Sequence, residues 1–296
     1  MDLLTIDSLG DDAIGDLLEA AQFWFAQNRS GTISPQSQPT KILFNLFCEN
    51  STRTLMSFAT AATRLGMTAL TLPIEVSSVR KGETLEDTAR TLNAMRPDVL
   101  VIRHGENGAP ARVAELMDAP VINAGDGTNE HPTQALLDAA TLQHRFGSLA
   151  GLKVAICGDI KHSRVARSNA KLLPRLGAEV RLAGPPELMP DDAPVLTVDE
   201  AIVGADVVMM LRVQRERLDT ELGDAPGEYL AAYGLNAERL ASAAKDAVVM
   251  HPGPMNRGVE ILGAIADDPQ RSLIATQVEM GVAMRMACLD RLARST

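Results

Sequence analysis

The sequence predicts an α/β fold built from two doubly wound parallel sheets, and three observations carry that prediction. Short apolar runs bounded by turn residues alternate with helical patterns from residue 41 onward, as in βα units whose strands are buried on both faces. A chain of 296 residues exceeds one ordinary core and fits two domains of common size. The turns that follow the apolar runs are repeatedly marked by arginine or histidine, and open α/β sheets bind ligands beyond the carboxyl ends of their strands.

Taken in order, residues 11–28 carry an amphipathic helix pattern, and a polar, turn-rich connection follows over 31–39. Strands are expected over 41–47, 67–72, 99–102, 121–123, 153–157, 179–183, 207–211 and 247–250. Helices are expected over 54–65, 84–93, 132–146 and 164–176, with a last one from 278 onward. Gly147-Ser148-Leu149-Ala150-Gly151 reads as a hinge between two halves. No internal repeat or long linker interrupts the pattern.

Composition narrows the function. No apolar run reaches the roughly 18 residues that span a bilayer. The N-terminus has no basic stretch ahead of an apolar one, so a cytoplasmic protein is expected. The three cysteines, Cys48, Cys157 and Cys288, are far apart and form no CxxC or Cys/His cluster. They read as buried or half-buried free thiols, with neither a zinc site nor a disulfide framework expected. A net charge of −10 argues against nucleic acid and anionic membranes as partners. An acidic chain that binds anions must do so with locally concentrated positive groups.

Such groups recur at the expected strand ends. Ser51-Thr52-Arg53-Thr54 follows a strand and opens a helix, where free N–H groups and the positive end of the macrodipole meet hydroxyls and a guanidinium. An ordinary Ser/Thr cap is the plain alternative. Arg53 in the first turn favours an anion cradle, because a cation there is unfavourable unless something negative compensates it. Arg103-His104 closes a third strand, and His131-Pro132-Thr133-Gln134 opens another helix with proline at its first position. His131 alone reads equally as a structural histidine. The loop from Ser77 to Thr84, with Arg80 and Lys81, is a solvated turn or a basic arm reaching over an anion site, including a neighbour's. Gly158-Asp159-Ile160-Lys161-His162-Ser163-Arg164 lacks the glycines of a dinucleotide loop. Arg164 and Arg212 are placed to pair with carboxylates, or to serve as surface ion-pair partners. Arg257 has no assigned role. No Ser/His/Asp or Cys/His pairing offers a nucleophile.

Together these stretches resemble the aspartate/ornithine carbamoyltransferase family across nearly the whole chain. Ser51-Thr52-Arg53-Thr54 is similar to its carbamoyl phosphate signature and His131-Pro132-Thr133-Gln134 to its second signature, with Arg103 between them. Arg212-Val213-Gln214 and His251-Pro252-Gly253-Pro254-Met255-Asn256-Arg257-Gly258 are similar to the aspartate-using members; ornithine-using ones are expected to carry His-Cys-Leu-Pro near the latter. A dicarboxylate wants two cationic clamps, whereas ornithine's distal ammonium wants acidic groups. The alternatives are a member with another amine acceptor, a non-catalytic homologue acting as a scaffold, and, more distantly, a nicotinamide-dependent dehydrogenase.

The resemblance implies residues 1–133 with 278–296 as the carbamoyl phosphate-binding domain and 134–277 as the aspartate-binding domain, the last helix returning to the first. It implies Arg53, Thr54, Arg103, His131 and Lys81 as the catalytic set. Ser51, Thr52, Ser77, Gln134, Arg164, Arg212, Gln214, Gly253 and Pro254 would bind the two substrates, carbamoyl phosphate and L-aspartate. Ser77 and Lys81 would come from an adjacent subunit of a homotrimer with shared active sites; association with regulatory or dihydroorotase-like chains stays open. No cofactor or metal is implied. Leu55 and Ala59 depart from the arginine and glutamate common in the family, which bears on local packing more than on chemistry.

Overall fold

The computed structural model describes residues 2–31, 38–72, 82–191, 196–213 and 227–294. The chain forms two compact units, Met1–His144 with Val278–Thr296, and Arg145–Gln277. The division falls after His144; the boundary expected at 133 lies at the start of the helix that leads out of the first unit.

In the first unit, helix α1 (Asp11–Ser30) precedes β1 (Ile42–Phe47), α2 (Thr52–Leu65), β2 (Thr68–Leu72), α3 (Leu85–Ala94), β3 (Val99–His104), α4 (Ala109–Ala114), β4 (Val121–Asp126) and α5 (Pro132–Phe146). Its four strands are parallel in the order β2-β1-β3-β4. Leu46, Leu100, Ile102, Val113 and Val121 are packed in one buried cluster, so β1, β3 and β4 are buried where β2, at the edge, stays largely exposed. The last helix, α11 (Ile274–Ala293), is tied here by its later turns: Arg291 Nη1 donates to Asp16 Oδ2 at 2.8 Å and Gln38 Nε2 to Asp290 Oδ1 at 2.9 Å.

The second unit repeats the scheme with β5 (Lys153–Cys157), α6 (Arg164–Arg175), β6 (Glu179–Ala183), α7 (Val198–Ile202), β7 (Val207–Met210), α8 (Glu228–Ala232), α9 (Ala237–Ser242), β8 (Val248–Met250) and α10 (Gly263–Ala266). The strand order is β6-β5-β7-β8, again all parallel. Gly158, just past β5, has φ +133°, and a Cβ there would stand 2.8 Å from the Leu211 carbonyl oxygen. Only glycine lets the ends of β5 and β7 run that close. Arg239 closes the end of α8: its Nη atoms donate to the carbonyls of Leu230, Ala231, Ala232 and Gly234, and its Nε to Asp199 at 2.7 Å. One guanidinium thus satisfies carbonyls that the helix itself cannot.

All eight expected strands are present. Two are longer than hydropathy indicates, because β3 continues through Arg103 and His104, and β4 through Asp126, by backbone pairing that polar side chains do not prevent. Helix α2 starts at Thr52, two residues early, which puts Thr52 and Arg53 inside its first turn. Helices α4, α7, α8, α9 and α10 have no counterpart in the sequence pattern; each is too short, at four to six residues, to show a helical period. Leu100 is fully buried at the centre of the first sheet. Leu100→Ala is expected to lower stability by about 2–5 kcal/mol, measured by urea unfolding followed by circular dichroism.

Candidate active site

Each sheet has one place where the chain reverses its direction of growth. After β1 it steps outward to β2, and β3 then returns to the other side of β1; β5, β6 and β7 do the same in the second unit. The helices after such a strand pair leave toward opposite faces, opening a crevice at the carboxyl ends. Of the site residues singled out by sequence, those described lie at or beyond the ends of β1, β3 and β4 in the first sheet and β5, β7 and β8 in the second.

In the first unit, the turn after β1 delivers Ser51 as the N-cap of α2, in extended conformation (φ −159°, ψ 92°), with its hydroxyl making no capping bond. No acidic residue stands in the first turn. The helix start therefore keeps its positive end uncompensated by its own side chains. Thr52 and Arg53 are exposed, whereas Thr54 turns inward and is buried.

Arg103 sits on β3 directly opposite Phe47 of β1. Its Nε lies 3.3 Å from Glu49 Oε2, and its Nη1 donates to the Ala124 carbonyl at 3.3 Å. Glu49 leans over Gly105, where a Cβ would be 3.2 Å from Oε1. An anion that meets Arg103 therefore shares the guanidinium with this carboxylate, which lies on the Nε side.

The turn after β4 is braced from several sides. Asn123 Nδ2 donates to the carbonyls of Leu4 and Glu130, Asp126 N donates to the Glu130 carbonyl, and Glu130 Oε2 accepts from Ile6 N at 2.8 Å. The brace holds His131, which is buried and whose carbonyl accepts from Gln134 N at 2.9 Å, starting α5 with Pro132 as first residue. Three residues on, Gln134 is buried in the same turn and its Nε2 donates to Asp138 Oδ1 at 3.0 Å. Ser51–Thr54, Arg103 and His131 with Gln134 are thus carried at the carboxyl ends of three adjacent strands, β1, β3 and β4.

In the second unit, Arg164 opens α6, capped by Ser163 Oγ accepting from Ala166 N at 3.1 Å. The loop before it is folded by buried Asp159, which accepts from His162 N at 3.1 Å and faces His162 Nδ1 at 2.9 Å. Arg212 lies two residues beyond β7, next to β5, where Leu211 N donates to the Cys157 carbonyl. Beyond β8, His251 N donates to Gln277 Oε1 and Gly253 N donates to His251 Nδ1, both at 2.9 Å. The other ring nitrogen, Nε2, lies 3.3 Å from Oε1 of fully buried Glu260. Gly253 has φ +70°, and the Gly253–Pro254 peptide is cis. Arg257 forks onto Asp267, with Nη2 donating to Oδ1 at 2.8 Å, and so serves as an exposed ion-pair partner. Ser77, Lys81 and Gln214 lie outside the described residues.

The thiols are free, as composition indicates. Burial, with Glu49 adding to it, pushes Cys48 up to about 11. Burial pushes Cys157 and Cys288 up to about 12 each. None is a thiolate nucleophile at neutral pH. Two carboxylates, Glu49 and Asp138, join the site without having been singled out by sequence. The first is invisible without knowing that β1 and β3 are neighbours. The second does leave a signal, a carboxylate four residues after Gln134 on a helix.

Two family models match, described as the aspartate/ornithine carbamoyltransferase carbamoyl-P binding domain over residues 1–144 and the Asp/Orn binding domain over 150–292. Among curated relatives, the aspartate carbamoyltransferase catalytic subunit of Granulibacter bethesdensis is 56% identical over 298 residues, covering 99% of this chain and 94% of its own. That of Rhizorhabdus wittichii is 57% identical over 284 residues, covering 94% and 90%. Among solved structures, aspartate transcarbamoylase from Trypanosoma cruzi in complex with carbamoyl aspartate and phosphate is 33% identical with a TM-score of 0.88, covering 98% and 95%. Ornithine carbamoyltransferase from Pyrococcus furiosus is 28% identical with a TM-score of 0.89, covering 100% and 97%.

Arg53→Ala is expected to weaken inorganic phosphate binding about tenfold or more in titration calorimetry, since hydrogen bonds to charged groups contribute about 1.5–3 kcal/mol. The same change should leave the unfolding midpoint unchanged or slightly raised, because a cation leaves the positive end of a helix. Cys48 should alkylate slowly at pH 7, its rate with iodoacetamide rising about tenfold per pH unit up to pH 10, as the thiolate fraction does below the raised value.

Proposed function

The chain belongs to the aspartate/ornithine carbamoyltransferase family, and we propose that it transfers the carbamoyl group of carbamoyl phosphate to the amine of L-aspartate, giving N-carbamoyl-L-aspartate and phosphate in de novo pyrimidine biosynthesis. The observation that carries this reading is the placement of Ser51–Thr54, Arg103 and His131 at the carboxyl ends of three neighbouring strands, in a unit matched by the carbamoyl phosphate-binding family model. The curated relatives at 56% and 57% identity bear the name of the aspartate enzyme.

The phosphate of the donor lies on the first turn of α2, held by Ser51, Thr52, Arg53 and Thr54. Arg103 bridges phosphate and carbonyl oxygen. His131 and Thr54 meet the carbonyl oxygen, and Gln134 meets the carbamoyl amide. Aspartate is gripped through its two carboxylates by Arg164, Arg212 and Gln214 of the second unit, with Gly253 and Pro254 shaping the wall. Its neutral amine attacks the carbamoyl carbon, a C–N bond forms and the C–O bond to phosphate breaks. Charge grows on the carbonyl oxygen, where Arg103, His131 and Thr54 stabilise it, and preorganised donors of this kind usually contribute more to catalysis than any other single effect. The departing phosphate takes the amine's proton. Much of the remaining barrier is the repulsion between two anions brought together, which fixed cations remove in advance.

The choice of aspartate over ornithine rests on residues, since the fold is shared with the ornithine enzyme of Pyrococcus furiosus. Arg164 and Arg212 suit a dicarboxylate, and His251-Pro252-Gly253-Pro254 stands where His-Cys-Leu-Pro is expected of ornithine-using members. The reading extends to a cytoplasmic homotrimer in which Ser77 and Lys81 reach a neighbouring subunit's site. No helix among the described residues is long and apolar enough to cross a membrane.

With labelled carbamoyl phosphate, aspartate should yield the ureido product and ornithine none; the reverse would overturn the assignment. Arg212→Ala should raise KM for aspartate at least about tenfold and leave KM for carbamoyl phosphate within twofold. Mixing inactive Arg53→Ala and Lys81→Ala chains should restore part of the activity if sites are shared; mixtures as inactive as their parents would remove the shared site.

A further inference from the structure

We propose that Asp138 is a positioning residue that holds the Gln134 amide with its carbonyl oxygen toward the ligand, so that the site selects a donor acyl group bearing N–H over one bearing methyl. The inference rests on the reading that Gln134 meets the carbamoyl amide, and deepens it to a rule of donor specificity.

The geometry begins with one hydrogen bond. Gln134 Nε2 donates to Asp138 Oδ1 at 3.0 Å, one turn further along α5, and Asp138 is fully buried. An ionised carboxylate accepts hydrogen bonds and donates none, so the NH2 of the glutamine has to face it. The other branch of the amide, Oε1, is then left as an acceptor. The carbamoyl group ends in NH2, a donor. An acetyl group of nearly the same shape ends in CH3 and offers that oxygen nothing, and a polar group left unmatched is what makes such discrimination large.

The device works only while Asp138 stays ionised. A carboxylic acid both donates and accepts, and would let the amide turn either way. Burial alone favours that acid. Opposing it is Arg285 of α11, itself only 3% exposed. Burial pulls this guanidinium down to about 10, against which Cys288 and Asp138 work, so it remains a cation at neutral pH. Arg285 is fixed in turn. Its Nη1 donates to the Gly281 carbonyl at 3.1 Å, and a Cβ on Gly281 would stand 2.8 Å from that same Nη1. Its guanidinium also lies 5.1 Å from the ring of Phe58, fully buried on α2. One buried cation therefore packs against the helix that starts with Ser51–Thr54 while its charge favours the ionised form of Asp138.

The test compares carbamoyl phosphate with acetyl phosphate as donors, with inorganic phosphate binding as the control. The wild-type protein should prefer carbamoyl phosphate at least about tenfold in kcat/KM, and Gln134→Ala should lose that preference. Asp138→Asn is expected to cut the carbamoyl-to-acetyl ratio about tenfold while phosphate Kd stays within twofold, which a merely structural role would not produce. If Gln134→Ala loses the preference and Asp138→Asn keeps it, the positioning role is overturned and the reading of Gln134 stands. If Gln134→Ala keeps it, the placement of the carbamoyl amide on Gln134 falls, and the proposal with it. Should Asp138→Asn not fold, Arg285→Lys is expected to hold the ratio and Arg285→Gln to lower it; equal ratios in the two would overturn the role.

Discussion

A reversal in strand order is the constraint on which the rest of this structure depends. Where β1 and β3 lie side by side but send their helices to opposite faces, no element of the sheet covers the ends of the strands. Backbone N–H groups, a helix start and strand-end side chains are left to face the same gap. The second unit has the same reversal between β5 and β7, and again arginines follow both strands. An acidic chain can thereby concentrate positive potential in two small places without altering its overall charge.

Much of this is legible in the sequence for a simple reason. Parallel strands buried on both faces read as short apolar runs, and helices of three or more turns show their period, so the eight strands and the long helices are visible. The remainder depends on backbone or long-range contacts. Arg103-His104 and Ala124-Gly125-Asp126 belong to strands through hydrogen bonds that hydropathy does not register. The few residues of α8 and α9 are held by Arg239, a charged residue that looks solvent-facing until its four carbonyl partners are known. In the site, the signature residues are legible because helix starts and cations after strands have local chemistry. Glu49 and Arg285 are not, because one meets its partner across a strand pair and the other arrives on the last helix of the chain.

The same contrast explains why the fold alone does not choose an acceptor. An ornithine enzyme and an aspartate enzyme superpose on this chain about equally well. The sheets supply only a place, and the segments beyond β5, β7 and β8 are where a loop can change without disturbing the buried strands beneath it. The bracing of His131 by Asn123 and Glu130 is of the opposite kind: it ties the site to the N-terminal residues Leu4 and Ile6, so a change there reaches the chemistry through the backbone.

The ion pair between Glu49 and Arg103 has a further meaning. A carboxylate attached next to an anion-binding guanidinium is a tethered competitor, present at a high and fixed effective concentration. Weak monovalent anions, chloride among them, compete for that guanidinium with a single charge and gain little. An acyl phosphate brings two charges and several acceptor oxygens, and can engage the α2 start as well. The contact therefore weakens every anion that needs the whole of Arg103 by one common factor, and discrimination comes from what each ligand gains at the α2 start.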